Sequence, residues 1–142
     1  MALSSHQILN KGNLAFKRGN FKKAKQFYKI ILRDLPNHSD ANHNLGVIAV
    51  SVNKNDEALS LFKNALKANP KIEQFWVSYI DTLIKEKHFE YAKEVIDQAK
   101  NQGFNVEKLH ALKTNISSTN KEEKFSHPKP SDQQINKLLE HY

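Results

Sequence analysis

The residues able to do chemistry are scattered rather than gathered. Seven histidines, His6, His38, His43, His88, His110, His127 and His141, include no pair four residues apart, the spacing that sets two imidazoles on one helical face for a metal. Cysteine is absent, which removes disulfides, thiolate nucleophiles and thiolate metal ligands. Asp56-Glu57 and Glu122-Glu123 are adjacent acids, which point to different faces of a helix and read as helix starts or solvated surface. Gly12, Gly19, Gly46 and Gly103 stand singly, so no phosphate-cradling loop is present. No catalytic residue, metal site or cofactor is expected, and the chain is not expected to be an enzyme. What recurs is amide chemistry. Asn10 and Asn44 lie 34 residues apart, and a primary amide offers both donor and acceptor to an extended peptide backbone.

The elements that would position these amides follow the same period. Pro36 and Pro70 are also 34 residues apart, and the residues before them follow one plan. Gly12, Ala15, Gly19, Phe21, Ala24, Tyr28 and Ile31 become Gly46, Ala49, Asn53, Asn55, Ala58, Phe62 and Ala65, then Ile80, Leu83, Lys87, Phe89, Ala92, Ile96 and Ala99. Small residues at Gly12, Gly46, Ala24, Ala58 and Ala92 let helix axes approach closely, and Tyr28, Phe62 and Trp76 fill the space between neighbouring units. Gly19 and Asn53 suit the left-handed conformation that ends a first helix. Pro36 and Pro70 end the second helices, because proline disfavours helical geometry in the residue before it. The second helices carry apolar residues at helical spacing, Ala24, Phe27, Tyr28, Ile31 and Leu32 in one and Ala58, Leu61, Phe62, Ala65 and Leu66 in the next.

A 34-residue period with small, aromatic, small and proline residues at these offsets resembles the tetratricopeptide repeat. The resemblance implies an all-α, right-handed solenoid of antiparallel helix pairs. Units are expected at 5–38, 39–72 and 73–106, the last degenerate because it lacks the glycine and proline. A capping helix at 107–116 carries Leu109, Leu112 and Ile116, since each repeat of a solenoid buries its apolar face only against a neighbour. A polar linker at 117–130 contains Pro128 and Pro130. The segment 131–142, with Ile135, Leu138, Leu139 and Tyr142 on one face, looks like the first half of a further unit. Runs such as Ala41-Asn42-His43-Asn44-Leu45-Gly46 and Leu138-Leu139-Glu140-His141-Tyr142 resemble the N-terminal arrays of long bacterial proteins of this family, which carry glycosyltransferase, sulfotransferase or methyltransferase domains. A substrate-recruiting arm of such a transferase is the alternative to a free-standing interaction scaffold.

In this family the first helices of the pairs line a concave groove. By resemblance the peptide-binding groove comprises His6, Leu9, Asn10, Asn13 and Lys17 from the first unit. The second gives His43, Asn44, Val47 and Ser51, with Asp40 beside them, and the third gives Gln74, Val77, Ser78, Asp81 and Lys85. Asn13 and Asn44 also match the asparagines of the family's two-carboxylate clamp for acidic chaperone tails. Leu9, Gln74 and Ser78 stand where that clamp needs cations, so its charge-assisted bonds are missing. The expected partner is therefore a protein or peptide in extended form, of unknown identity.

The charge of +7 is concentrated. Lys11, Lys17, Arg18, Lys22, Lys23, Lys25, Lys29 and Arg33 face Asp34 alone in the first unit, whereas the rest of the chain is balanced. Lys22, Lys25, Lys29 and Arg33 recur at helical spacing and form a basic stripe on the convex side. Acidic-surface or nucleic-acid binding is the lesser alternative, weakened by the presence of only two arginines, the residue best suited to bidentate phosphate recognition. No segment approaches the roughly 20 apolar residues of a membrane span, and residues 1–6 show no secretory pattern. A cytoplasmic protein without membrane association is expected.

Overall fold

The computed structural model describes residues 3–104. Six helices occupy this stretch in the order α1 Ser5–Lys17, α2 Phe21–Asp34, α3 Ser39–Ser51, α4 Asn55–Ala68, α5 Glu73–Lys85 and α6 Phe89–Asn101. Residues 5, 39 and 73 open the first helices of three pairs and residues 21, 55 and 89 the second helices, so both series advance by 34. The expected capping helix at 107–116, the linker at 117–130 and the helix at 131–142 lie outside the described residues. No described helix is long and apolar enough to cross a membrane.

Within each pair a three-residue link turns the chain back on itself, and its geometry repeats. Gly19, Asn53 and Lys87 all take positive φ, at 76°, 62° and 62°. The next residue then donates its backbone N–H back to the helix just ended: Asn20 to Ala15, Lys54 to Ala49 and His88 to Leu83, at 2.8 to 2.9 Å. These bonds satisfy carbonyls that the end of a helix leaves without a partner. Glycine adopts this conformation without cost and asparagine tolerates it, whereas Lys87 carries a Cβ into it.

Helix starts are secured differently in each case. Ser4 and Gln7 form a reciprocal cap on α1, the serine Oγ accepting from the Gln7 N–H at 3.1 Å and the Gln7 Oε1 accepting from the Ser4 N–H at 2.8 Å. Asn20 Oδ1 accepts from the Lys23 N–H ahead of α2, and His38 Nδ1 accepts from the Ala41 N–H ahead of α3. Helix α2 stops at Asp34, two residues before Pro36, and α4 stops at Ala68, two residues before Pro70.

The fold divides into two units between Phe75 and Trp76. In the first, α1 packs on α2, α2 on α3 and α3 on α4. Its core holds Ala15, Ala24, Tyr28, Ile31, Ala41, Leu45 and Ile48. Each glycine expected at a close helix approach faces an aromatic ring. A Cβ on Gly12 would lie 2.9 Å from Tyr28 Cε1, and one on Gly46 would lie 2.6 Å from Phe62 Cδ1, both closer than carbon atoms pack. Tyr28 and Phe62 thus fill the seam inside their own pairs. In the second unit, Tyr79 of α5 meets Tyr91 of α6 edge-on, with ring centres 6.3 Å apart, and Trp76 lies 6.4 Å from Phe104. Ile80, where the earlier pairs have glycine, is fully buried with Leu83, Ala92 and Ile96.

Candidate functional site

A single tyrosine organises the polar centre of the first unit. Tyr28 on α2 is wholly inaccessible to solvent, and burial pushes its phenol pKa up, the Asn44 bond acting against that rise and the charge of Asp40 adding to it. A buried hydroxyl needs partners, and Tyr28 finds two. It donates to Asn13 Oδ1 on α1 at 2.7 Å and accepts from Asn44 Nδ2 on α3 at 3.0 Å. Asn44 Nδ2 also donates to Asn13 Oδ1 at 3.3 Å. Three helices from two adjacent pairs therefore meet in one triangle of hydrogen bonds.

The triangle leaves particular capacity unused. Asn13 Oδ1 accepts two bonds and both protons of Asn44 Nδ2 are engaged. Asn13 Nδ2 donates to nothing among the described residues, and Asn44 Oδ1 has only His43 Nδ1 beside it, at 3.3 Å. Both asparagine side chains are held in fixed orientation by the triangle.

His43 secures this arrangement from behind. Its side chain packs against Phe62 and Phe75, with ring centres 5.3 and 4.8 Å away, and the residue is 8% exposed. Burial lowers its pKa below the usual 6.5, and the bond to Asn44 and the charge of Asp40 act in the opposite direction. The neutral ring then packs against the phenylalanines and donates from Nδ1 to Asn44.

The groove residues expected from the sequence are distributed as follows. Asn13 and Asn44 are brought together, flanked by half-buried Leu9 on α1 and Val47 on α3. His6, Asn10 and Lys17 are exposed on α1, and Ser51 is exposed at the end of α3, where its hydroxyl donates to the Ile48 carbonyl at 2.6 Å. Asn10, equivalent to Asn44 by period, stands outside the triangle. His43 is a buried support rather than an open lining residue, because the rings of Phe62 and Phe75 enclose it. Gln74 is exposed on the first turn of α5. In the second unit Val77 and Ser78 are half-buried, and Asp81 and Lys85 face each other one helical turn apart at 3.5 Å. That ion pair is solvated and contributes about 0 to 1 kcal/mol. Tyr28 and Phe62 carry no sequence signal as site residues, since an aromatic at that offset reads as packing alone.

The basic stripe on α2 is divided. Lys25 and Lys29 border a cleft of about 230 Å³ with α3 and α4, joined there by Lys54 from the α3–α4 link. Lys22 and Arg33 are exposed and border neither this cleft nor a second hollow flanked by Lys11, Arg18 and Lys23. Among the described residues no group of His, Asp or Glu is placed to hold a metal ion.

Helix pairs advancing by a fixed period, with a polar pair set across two of them, define an all-α repeat scaffold of the solenoid class. Residues 49–116 match the family model described as tetratricopeptide repeat. No curated protein sequence matches the chain. Solved structures share the fold. The TPR2B domain of yeast Sti1 in complex with an Hsp70 peptide is 16% identical with a TM-score of 0.72, the match covering 81% of this chain and 97% of that one. The Sgt2 TPR domain of Aspergillus fumigatus is 19% identical with a TM-score of 0.69, covering 89% and 84%. The first TPR domain of Spaghetti (RPAP3), bound to the HSP90 peptide SRMEEVD, is 19% identical with a TM-score of 0.71, covering 81% and 91%.

Proposed function

We propose that the α1/α3 face binds an extended peptide through its main chain, with Asn13 Nδ2 donating to a peptide carbonyl and Asn44 Oδ1 accepting a peptide N–H. The chain is a repeat scaffold for a protein or peptide partner, and peptide complexes of structurally similar domains support this reading. The observation that carries it is the Tyr28-centred triangle, which fixes both amides and leaves one donor group and one acceptor site for a ligand. Leu9 and Val47 supply apolar contact to alternate side chains of the strand. A two-carboxylate clamp is disfavoured, since Leu9, Gln74 and Ser78 occupy the positions of its cations.

The test uses peptides selected from a random library against the full chain. Asn13→Ala with Asn44→Ala removes two hydrogen bonds of about 1 kcal/mol each, which corresponds to roughly a 30-fold loss of affinity. Asn10→Ala leaves affinity unchanged. Equal affinity of the Asn13/Asn44 double variant, in a chain that keeps its helicity, would move the binding face elsewhere.

A further inference from the structure

Helix α3 carries a second, chemically different stripe. Asn44, Val47 and Ser51 follow one line along it, and Leu45, Ile48, Ala49 and Val52 follow another at the same helical spacing. The second line forms the floor of the cleft between α2 and α4, where Leu32 and Leu61 close the sides. Val52 at its edge is 57% exposed. Leu45, Ile48 and Ala49 beneath it are at most 7% exposed, so Val52 with half-buried Leu32 and Leu61 is the apolar surface the cleft offers to a ligand.

The rim of this cleft is cationic. Lys25 and Lys29 are one turn apart on α2, and Lys54 stands across from them. None of the three has a side-chain ion pair or hydrogen bond among the described residues, and Glu57, the one acid on the rim, lies beyond ion-pair distance of all of them. Three uncompensated ammonium groups around an apolar hole call for a ligand with anionic and apolar parts in alternation. A volume of about 230 Å³ exceeds the roughly 150 Å³ that accommodates a benzene ring, so the cleft takes one aromatic or aliphatic side chain and not an extended lipid tail.

We infer that this cleft is a second docking site, for an acidic peptide segment that inserts one bulky apolar side chain between α2 and α4 and sets carboxylates against Lys25, Lys29 and Lys54. Charge complementarity selects the partner, and the apolar floor separates it from nucleic acid, for which a continuous line of cations without a hole would serve as well. The site shares no residue with the Asn13/Asn44 pair.

The probe is a blocked, fluorescently labelled peptide with two acidic residues on each side of one phenylalanine, titrated into the full chain. Lys25→Glu with Lys29→Glu weakens binding at least tenfold. Val52→Lys adds positive charge yet weakens binding severalfold, because it places an ammonium group at the edge of the apolar floor. Replacing the phenylalanine of the peptide by serine has the same effect. Asn13→Ala with Asn44→Ala changes nothing, which separates this site from the α1/α3 face. Binding that survives Val52→Lys and the serine peptide would reduce the cleft to general electrostatics and overturn the inference. So would a thymidine oligonucleotide or a phosphatidylserine vesicle binding the chain as tightly as the peptide does.

Discussion

Asn44 donates to the hydroxyl of Tyr28 across the junction of two helix pairs, at 3.0 Å. Tyr28 belongs to the first pair and Asn44 to the second, so the bond is both a packing contact and the device that aims the Asn44 amide. Replacing Tyr28 by phenylalanine keeps the ring against Gly12 and removes only the oxygen. The expected loss of stability is about 1 kcal/mol, read from the denaturant midpoint. Affinity for groove peptides should fall as well, although Tyr28 is inaccessible to any ligand, because the two amides lose their common anchor.

The glycines at the seams should differ in how much they resist substitution. Alanine gains about 1 kcal/mol over glycine in a helix interior, against an overpacking cost of about 1 to 3 kcal/mol. At Gly46 the new methyl would sit 2.6 Å from Phe62 Cδ1 and 3.0 Å from Cζ, whereas at Gly12 the nearest atom is 2.9 Å away. Gly46→Ala should therefore destabilise clearly and Gly12→Ala much less. Combining Gly46→Ala with Phe62→Leu should cost less than the sum of the single changes, since the shortened side chain frees the space the methyl needs. Thermal unfolding of the four chains checks this.

The left-handed link position offers an improvement. Lys87 holds φ of 62° where the equivalent residue of the first pair is glycine. Lys87→Gly should raise stability by about 1 kcal/mol, relieving a conformation that costs a residue with Cβ roughly that much. The reverse change, Gly19→Lys, should lower it by a similar amount. A Cβ at Gly19 meets nothing within 4 Å, so any loss there is backbone strain and not collision.

His43 makes stability depend on pH. Its pKa is lowered by burial in the folded chain, so the unfolded state binds the proton more tightly. The stabilisation is complete above the ordinary value of about 6.5 and is lost as pH falls below it towards the folded value. Denaturant midpoints measured between about pH 7.5 and pH 5 should decline over that window. His43→Phe, which keeps a ring beside Phe62 and Phe75, should flatten the decline.

The repeat was legible in the sequence because it is written in residues with few structural alternatives. Pro36 and Pro70 forbid continued helix, Gly19 and Asn53 favour a left-handed turn, and Gly12 and Gly46 keep the helices close against the rings of Tyr28 and Phe62. The site was only half legible. Periodicity matches Asn10 with Asn44, 34 residues on, but the hydrogen bonds join Asn13 to Asn44, 31 residues apart. Equivalent positions in successive repeats are parallel, not adjacent, and contact across a junction is set by helix packing that no period expresses. Lys87 in the left-handed region and Lys54 on the rim of the cleft were hidden for a related reason. Lysine carries no local preference that marks either role.

With the proposed peptide bound, the Tyr28 triangle would tie recognition to assembly. A strand bonded to both asparagines would span the junction between the first two helix pairs and act as a splint across it. Sliding one pair against the other would then require breaking the ligand's bonds as well as those of Tyr28. Occupancy on the α1/α3 face would therefore be felt as slower hydrogen exchange in α2, a helix the ligand never touches.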